Sequence, residues 1–246
     1  MLIIAHRGFS SHYTENTLVS FTQALLLDID AIELDIHQVE NEFMVFHDPF
    51  IDKLTDSKGR IFDMPLDEVR GLLVKGRDPI PTLSEVATLV GNRVTLNVEV
   101  KTIQCVQTFV SYLSDIIVHL ECKVVISSFD HPLLSSIKNA FDYQLDINFV
   151  HAIEYGALIA HTPYDHAKYT EALDVSIAAI DWNVVTPDFV DDAHRRGKKV
   201  WCYTVNHEQT LSELLQMGVD GIFTDRPDWA RAFLKTQLDP QSDSHF

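Results

Sequence analysis

The feature of this sequence that most constrains its fold is a regular alternation of short apolar runs with segments of helical periodicity. Residues 200–205 form an apolar run, residues 208–217 have helical spacing and end at Gly218, and residues 220–223 form the next run. About eight such units fit into the 246 residues, a number and length typical of one (β/α)8 barrel. The predicted fold class is therefore α/β, a (β/α)8 TIM barrel.

The predicted strands are distributed along the whole chain. They lie at residues 1–5, 30–36, 43–47, 94–100, 123–127, 145–150, 175–180, 200–205 and 220–223. A doubly wound open sheet is the competing architecture, but its first turn usually carries several glycines, and here only Gly8 is present. Because the active sites of α/β barrels lie at the carboxyl ends of the strands, polar residues at those ends are the candidates for function.

Residues 48–81 differ in composition from the rest of the chain. They mix Asp, Lys, Gly and Pro with one short amphipathic segment at 66–73, which is typical of an insertion on a barrel rim. We predict a single domain over residues 1–236, with this small insertion after the second strand region. Residues 237–246 are polar and lack periodicity, and a flexible tail is predicted there.

The net charge of −17 argues against nucleic-acid binding, because phosphate neutralisation needs clustered Lys and Arg. It also means that an anionic substrate must be received by a local positive centre, either a metal ion or a few converging cations. No run approaches the roughly 18 apolar residues of a membrane span, so no stable membrane insertion is expected. Three scattered cysteines and the lack of a basic leader indicate a cytoplasmic protein. The sequence leaves the oligomeric state open.

Three acidic residues are candidates for a metal site. Glu33 and Asp35 are two apart on a predicted strand and share a face, while Glu99 ends another strand and faces inward with Lys101. Three oxygen ligands without cysteine suit one hard divalent cation, Mg²⁺ or Ca²⁺. The alternative is an internal salt-bridge network in which Arg7 and Lys101 neutralise the carboxylates. The high cost of buried charge without a function favours the metal site.

Two histidines are candidates for acid–base catalysis. His6 follows the first apolar run and His47 ends the third, so both lie at strand ends. Imidazole titrates near neutral pH, so one ring can accept a proton while the other donates one to a leaving group. The chain has 12 histidines, and most of them are expected to be ordinary polar residues. His37 would share a face with Glu33 and Asp35 and is the reserve candidate.

Cationic and aromatic residues near the same strand ends are candidates for substrate contact. Arg7 suits two-pronged recognition of a phosphoryl group, and Lys101 suits a point-charge contact, although both would also serve to neutralise carboxylates. Trp201, Tyr203 and Val205 share one face of a predicted strand. If that face points inward, Tyr203 forms a wall on the alcohol-binding side of the pocket; otherwise it belongs to the core.

A set of short motifs resembles the glycerophosphodiester phosphodiesterase family, which belongs with the phosphatidylinositol-specific phospholipase C type of barrel. The motifs are His6-Arg7-Gly8, Glu15-Asn16-Thr17, Glu33-Leu34-Asp35, His47-Asp48, Pro81-Thr82-Leu83-Ser84-Glu85, Val98-Glu99-Val100-Lys101, Thr204-Val205-Asn206 and Gly221-Ile222-Phe223-Thr224-Asp225-Arg226-Pro227. Each alone is a weak signal, but they occur in the family's order and cover nearly the whole chain. Thr14, Tyr203 and the segment 54–56 depart from the usual pattern, and Tyr203 replaces a tryptophan that bears on head-group preference.

The resemblance implies an enzyme that hydrolyses glycerophosphodiesters, such as glycerophosphocholine or glycerophosphoethanolamine, to glycerol 3-phosphate and an alcohol. The positions it implies are Glu33, Asp35 and Glu99 for a divalent cation, His6 and His47 for acid–base catalysis, and Arg7 and Lys101 for phosphate contact. Two alternatives are a related barrel phosphodiesterase acting on a lysophospholipid or a phosphoinositide, and a non-catalytic barrel scaffold. The presence of all the metal-binding and acid–base candidates favours an enzyme.

Overall fold

The strands of the protein form a closed barrel in the computed structural model, which describes residues 1–144 and 153–238. The strands are β1 (Leu2–His6), β2 (Ala31–Val39), β3 (Glu42–Val45), β4 (Leu73–Val74), β5 (Asp78–Pro79), β6 (Thr95–Thr102), β7 (Val124–Ser128), β8 (Ile153–Ile159), β9 (Ile177–Asp181), β10 (Lys199–Tyr203) and β11 (Gly221–Thr224). Eight of them are parallel, and the barrel closes because β1 pairs with both β2 and β11. The predicted (β/α)8 barrel is confirmed.

Helices follow most of the barrel strands and pack their apolar faces on its outer surface. They are α1 (Leu18–Ala24), α2 (Leu66–Gly71), α3 (Leu83–Val90), α4 (Val106–Leu120), α5 (His131–Gln144), α6 (Tyr169–Ala172), α7 (Pro187–Arg195), α8 (Glu208–Gln216) and α9 (Pro227–Leu238). Thr82 and Glu85 form a capping box at the start of α3. Thr186 caps α7, whose first residue is proline.

The fifth parallel strand of the barrel, β8, is one that the sequence pattern does not indicate. Its sequence, IEYGALI, places Glu154 and Gly156 inside the strand, and both residue types are depleted in strands. The strand predicted at residues 145–150 lies outside the described residues. The barrel has the expected number of strands, but its fifth one begins at Ile153.

Alternation along the strands divides the core into two layers. Outward-facing residues such as Ile3 and Ala5 of β1 pack against the helices. Inward-facing residues form a smaller cluster: Ile4, Ala31, Val125, Leu158, Ile177, Ala179, Trp201 and Phe223. The indole of Trp201 fills this interior so closely that a Cβ at Gly221 would lie 2.9 Å from its ring, so only glycine fits there.

The predicted insertion, residues 48–81, has a small core of its own. It contains a 3-10 turn at Ile61–Asp63, helix α2 and the antiparallel pair β4–β5. Its apolar side chains pack with residues at the end of β2 and in and after β3 in a separate cluster: Val39, Met44, Phe46, Ile51, Ile61, Val69, Val74 and Ile80. Since β3 runs antiparallel to β2, the chain reverses direction before it enters this segment.

The last helix runs beyond the predicted end of the domain. Helix α9 includes residues 237 and 238 of the predicted tail, and residues 239–246 lie outside the described residues. Within the two ranges that the structure describes, no helix has both the length and the apolar character needed to cross a membrane.

Candidate active site

A cavity of about 150 Å³ opens at the carboxyl-terminal side of the barrel. It is lined by His6, Arg7, Glu33, His47, Asn97, Glu99, Lys101, Ser127, Phe129, Leu158, Tyr203, Thr204 and Phe223. All the predicted site residues line this cavity except Asp35, which is fully buried and pairs with two of the lining residues. The structure therefore brings the predicted residues together in one place.

The turn after β1 brings Arg7 to the carboxylates. Arg7 (φ 55°) and Gly8 (φ 82°) both have left-handed backbone conformations, which end the strand abruptly. A Cβ at Gly8 would lie 2.3 Å from the Oγ of Ser20 in α1, so no side chain fits at this position. The backbone N–H of Arg7 donates to Oε2 of Glu33 at 2.8 Å, and its Nε lies 3.2 Å from Oδ2 of Asp35. Arg7 thus binds the acidic cluster through both backbone and side chain.

The three predicted metal ligands meet at one point. Strands β2 and β6 are paired so that Glu33 lies beside Asn97 and Asp35 lies beside Glu99. One oxygen from each of Glu33, Asp35 and Glu99 lies within 4.8 Å of the others. Oε1 of Glu33 is buried and has no hydrogen-bond partner among the described residues. Oxygen donors at this spacing, one of them unpartnered, fit a hard divalent cation.

The salt-bridge network considered from the sequence is present as well. Lys101 Nζ lies 3.0 Å from Oδ1 of Asp35 and also pairs with Glu99, while Arg7 pairs with Asp35. Two cations therefore face three carboxylates, so the formal charges of the cluster do not balance. The remaining negative charge lies in a largely buried place, where a divalent cation would offset it.

The acidity of the three carboxyl groups reflects this imbalance. Burial, reinforced by the charges of Asp35 and Glu99, raises the pKa of Glu33 well above its ordinary value. Burial and the charge of Asp35 raise the pKa of Glu99 to about 7. Burial acts in the same direction on Asp35, but Lys101 and Arg7 outweigh it and hold its pKa below the ordinary value. Asp35 is therefore ionised at neutral pH, and the other two carboxyl groups would gain most from a cation.

His6 is held by residues from the far end of the chain. Its Nδ1 lies 2.7 Å from Oδ1 of Asp225, which directly follows β11. Asn206 donates to the other carboxylate oxygen of Asp225 at 2.7 Å, and the Oγ of Ser10 lies 3.0 Å from Oδ1. Burial acts to raise the pKa of Asp225, but these hydrogen bonds, led by that of His6, lower it to about 2. With Nδ1 engaged, Nε2 is the ring nitrogen that remains for proton transfer.

His47 is held by its neighbour in sequence. It follows β3, and its Nδ1 lies 2.6 Å from Oδ1 of Asp48. The other oxygen of Asp48 lies 3.3 Å from the Nζ of Lys53, which is exposed. Burial lowers the pKa of His47, and the charge of Asp35 offsets this effect only in part. The ring again has Nε2 free of its aspartate partner.

His37, the reserve candidate for catalysis, does not line the cavity. The pairing of β2 with β6 shifts register after Ile36: Ile36 pairs with Val100 and His37 with Thr102, so the extra residue is Lys101 of β6. The ring of His37 is buried, and its Nε2 lies 3.1 Å from the carbonyl oxygen of His47. Burial also lowers the pKa of His37. The reserve candidate is thus buried beside the cavity, with its Nε2 held at the backbone of His47.

One side of the cavity is apolar. The rings of Tyr203 and Phe129 lie 5.7 Å apart in an edge-to-face arrangement, and Leu158 and Phe223 continue this wall. The hydroxyl of Tyr203 donates to the carbonyl oxygen of Ile159 at 2.6 Å. Because this hydroxyl is engaged with the backbone, Tyr203 contributes the apolar surface of its ring to the cavity.

Only part of the predicted aromatic face of β10 points inward. Trp201 and Tyr203 pack inside the barrel, as expected for a face that reaches the cavity. Val205 instead belongs to the outer layer between the strands and the helices. The strand ends at Tyr203, and the alternation of side chains ends with it, so the prediction that Val205 shares their face was wrong.

Three supporting residues were not among the predicted site residues. Asp225 and Asp48 orient the two histidines, and Glu15 accepts a hydrogen bond from the guanidinium of Arg7 at 2.8 Å. An imidazole that transfers protons through one nitrogen needs a partner for the other. Two of the three carry a signal in the sequence: Asp225 directly follows a strand, and Asp48 is the neighbour of a candidate histidine.

The sequence and the fold are similar to those of one group of known proteins. A sequence model described as the glycerophosphoryl diester phosphodiesterase family matches residues 6–229. A glycerophosphodiester phosphodiesterase of Caldanaerobacter subterraneus subsp. tengcongensis is 32% identical over 92% of this chain and 95% of its own. One of Bacillus altitudinis is 32% identical over 93% and 96%, respectively. A solved phosphodiesterase of Oleispira antarctica, in complex with the product sn-glycerol-3-phosphate, has a TM-score of 0.84 and is 25% identical, covering 96% of this chain and 97% of that one.

Proposed function

The chain belongs to the glycerophosphoryl diester phosphodiesterase family, and we propose from this premise a substrate class and a mechanism for its site. The protein is a glycerophosphodiester phosphodiesterase. Its proposed substrates are small diesters such as glycerophosphocholine and glycerophosphoethanolamine, which it cleaves to glycerol 3-phosphate and an alcohol. The sn-glycerol-3-phosphate bound to the Oleispira antarctica enzyme supports this choice.

The main observation behind the proposed mechanism is that two imidazoles are oriented in the same way, each by an aspartate. His6 and His47 line the same cavity, and each has its Nδ1 bonded to an aspartate. In the proposed reaction one ring takes a proton from the attacking hydroxyl, and the other gives a proton to the departing oxygen. The attacking hydroxyl belongs either to water or to the neighbouring carbon of the glycerol arm. In the second case the alcohol leaves as a cyclic phosphate forms, and water then opens that ring to give glycerol 3-phosphate.

A divalent cation, Mg²⁺ or Ca²⁺, fits the cluster of Glu33, Asp35 and Glu99. This fit is supported by the spacing of their oxygens and by the unpartnered Oε1 of Glu33. When bound, the ion supplies positive charge that stabilises the phosphodiester as its negative charge grows toward the transition state. Arg7 and Lys101 line the same cavity, and we propose that their N–H groups hold the phosphate oxygens there.

The apolar wall of Tyr203 and Phe129 is proposed to receive the carbon skeleton of an alcohol arm. These rings exclude water from one side of the cavity, where electrostatic interactions with the phosphate are strengthened as a result. Since the Tyr203 hydroxyl is bonded to Ile159, its role is contact through the ring rather than a hydrogen bond to substrate.

We also propose that the reaction takes place in the cytoplasm. Cys105, Cys122 and Cys202 are free thiols, as a reducing compartment would keep them. The net charge of −17 disfavours association with nucleic acids and with anionic membrane surfaces. Small glycerophosphodiesters are then the natural substrates, and glycerophosphocholine should be turned over faster than a micellar lysophospholipid. The reverse order would favour the lysophospholipid alternative.

Removal of divalent metal tests the proposed mechanism. The protein is treated with EDTA, dialysed, and assayed for release of glycerol 3-phosphate with Mg²⁺ or Ca²⁺ added back. We expect activity to fall at least about 100-fold and to return with one of the ions, since the cation offsets charge in the transition state. Thermal melting of the treated protein checks that it stays folded. Full turnover in EDTA by the folded protein would remove the metal from the mechanism.

A further inference from the structure

His37 is a buried imidazole beside the site that the proposed mechanism does not use. It lies in β2 just after the register shift in the pairing with β6, and only 1% of its surface is exposed. The centroid of its ring lies 5.9 Å from that of Phe62 in the insertion. Its Nδ1 is buried without a hydrogen-bond partner in the part of the chain that the structure describes. A buried ring nitrogen without a partner costs free energy. A histidine at this position is therefore expected to serve some purpose through its other ring nitrogen.

The other nitrogen of His37 holds the backbone of His47. Nε2 lies 3.1 Å from the carbonyl oxygen of His47, and because that oxygen can only accept, Nε2 carries the proton. His47 lies beyond Val45, the last residue of β3, so the ladder between β2 and β3 does not fix it. The N–H of Phe46 donates to the carbonyl of Asp35 at 3.0 Å. The segment is thus attached to β2 by one bond just before His47 and by a second one at its carbonyl.

We propose that His37 is a positioning residue for His47. Its Nε2–H fixes the peptide group between His47 and Asp48, from which both the imidazole and its carboxylate partner extend. The two side chains are in contact at 2.6 Å, and their relative position depends on the orientation of that peptide group. Without the hydrogen bond from His37, the peptide group turns and the imidazole loses its position at the cavity. This inference rests on the acid–base role proposed for His47.

Two substitutions separate the hydrogen bond from the volume of the ring. His37→Met keeps apolar volume without a donor, while His37→Gln keeps an N–H donor of similar reach. We expect His37→Met to lower kcat about tenfold to a hundredfold, because displacement of a reacting group by about 1 Å costs on that order. KM should change less than about threefold, and His37→Gln should restore kcat to within about threefold of wild type. If His37→Met does not fold, His37→Asn, whose donor is too short to reach the carbonyl, replaces it.

His131 provides a matched control. Its Nε2 makes the same kind of bond, 3.0 Å from the carbonyl oxygen of Leu158, but Leu158 has no proton to transfer. His131→Met is expected to leave kcat within about twofold of wild type. Equal losses of kcat in His37→Met and His131→Met would overturn the positioning role. So would a His37→Gln variant that is no more active than His37→Met.

A measurement without substrate separates this proposal from the proposed function. Crystal structures, or ring-nitrogen NMR signals of His47, report whether its Nδ1 keeps the contact to Asp48. We expect that contact to be lost in His37→Met and kept in His37→Gln. An unchanged pair of His47 and Asp48 in His37→Met overturns the positioning role, whatever the turnover. Full activity of His47→Ala would overturn the acid–base role instead, so the two failures are told apart.

Discussion

His6 and His47 lie beside one cavity, but they are built into the protein in different ways. His6 ends a strand of the barrel wall, and its partner Asp225 is 219 residues away in sequence. His47 follows a short antiparallel strand outside the ring of parallel strands, and its partner Asp48 is the next residue. The side chain of His6 is 16% exposed and that of His47 is 30% exposed, so the second is more open to solvent.

The difference shows where each half of the site obtains its rigidity. The His6 half is fixed by closure of the barrel, because β1 pairs directly with β11, the strand before Asp225. The His47 half depends on a loop in which Asp48 is shared with the exposed Lys53. We therefore expect the His6 half to tolerate changes of its partner poorly and the His47 half to adjust to them.

Removal of either imidazole is expected to have the largest effect on kcat, and the loss should be similar for the two halves. His6→Ala and His47→Ala should each lower kcat by about 10²–10⁴-fold, the usual scale for a positioned proton transfer. Release of glycerol 3-phosphate from glycerophosphocholine measures the loss. His12→Ala, at an exposed ring outside the cavity, serves as the control and should match the wild type. A loss below about tenfold for either site variant would reject that residue's role.

Replacement of the two aspartates is expected to separate the halves. In Asp225→Asn one carbonyl oxygen has to serve donors from both His6 and Asn206, so one donor loses its partner. We expect a loss of kcat of about 100-fold there and about tenfold in Asp48→Asn, where water at the exposed rim replaces the lost contact. The assay is the same, with thermal melting to check the fold. Equal losses would contradict the proposed difference in rigidity.

The pH dependence of kcat/KM is expected to distinguish the halves on a smaller scale. Burial lowers the pKa of His47 from 6.5, while the charge of Asp35 and the hydrogen bond to Asp48 act to raise it. An inflection caused by His47 therefore lies below pH 6.5. Asp48→Asn removes a raising influence, so it should move this inflection to lower pH, by up to about one unit. Asp225→Asn should leave it in place, and an upward shift in Asp48→Asn would show that the inflection belongs to another group.

Removal of Lys53 is expected to have the smallest effect. Its side chain is 73% exposed in its pair with Asp48, and exposed ion pairs contribute little because solvent screens them. Lys53→Ala should leave kcat/KM within about twofold of wild type and should not change the thermal midpoint. A loss as large as that of Asp48→Asn would mean that Lys53 fixes the loop and that the His47 half is less adjustable than we expect.

The sequence was sufficient to predict that the three acidic candidates gather at one place, and the reason is geometric. The two-residue repeat of a strand places Glu33 and Asp35 on one face, and a barrel brings the ends of its strands together. Both effects can be recognised from local patterns. The strand Ile153–Ile159 was missed because Glu154 and Gly156 weaken its local strand pattern. The segment is nevertheless a strand, since it pairs with β7 on one side and with β9 on the other.

Contacts set by the pairing between strands could not be predicted in this way. The bond of His6 to Asp225 depends on β1 lying next to β11, which only the closed barrel determines. The pairing of His37 with Thr102 follows a register shift between β2 and β6, and such a shift leaves the two-residue repeat of β2 unchanged. Neither arrangement can be predicted from the hydrophobic periodicity of a single segment.

The direct pairing of β1 with β11 has a consequence for biosynthesis. The strand that bears His6 is translated 219 residues before Asp225, the partner of its imidazole. A nascent chain that stops before Gly221 already contains both imidazoles and the three carboxylates of the acidic cluster, yet the barrel cannot close around them. We therefore expect a chain truncated before Gly221 to lack hydrolytic activity.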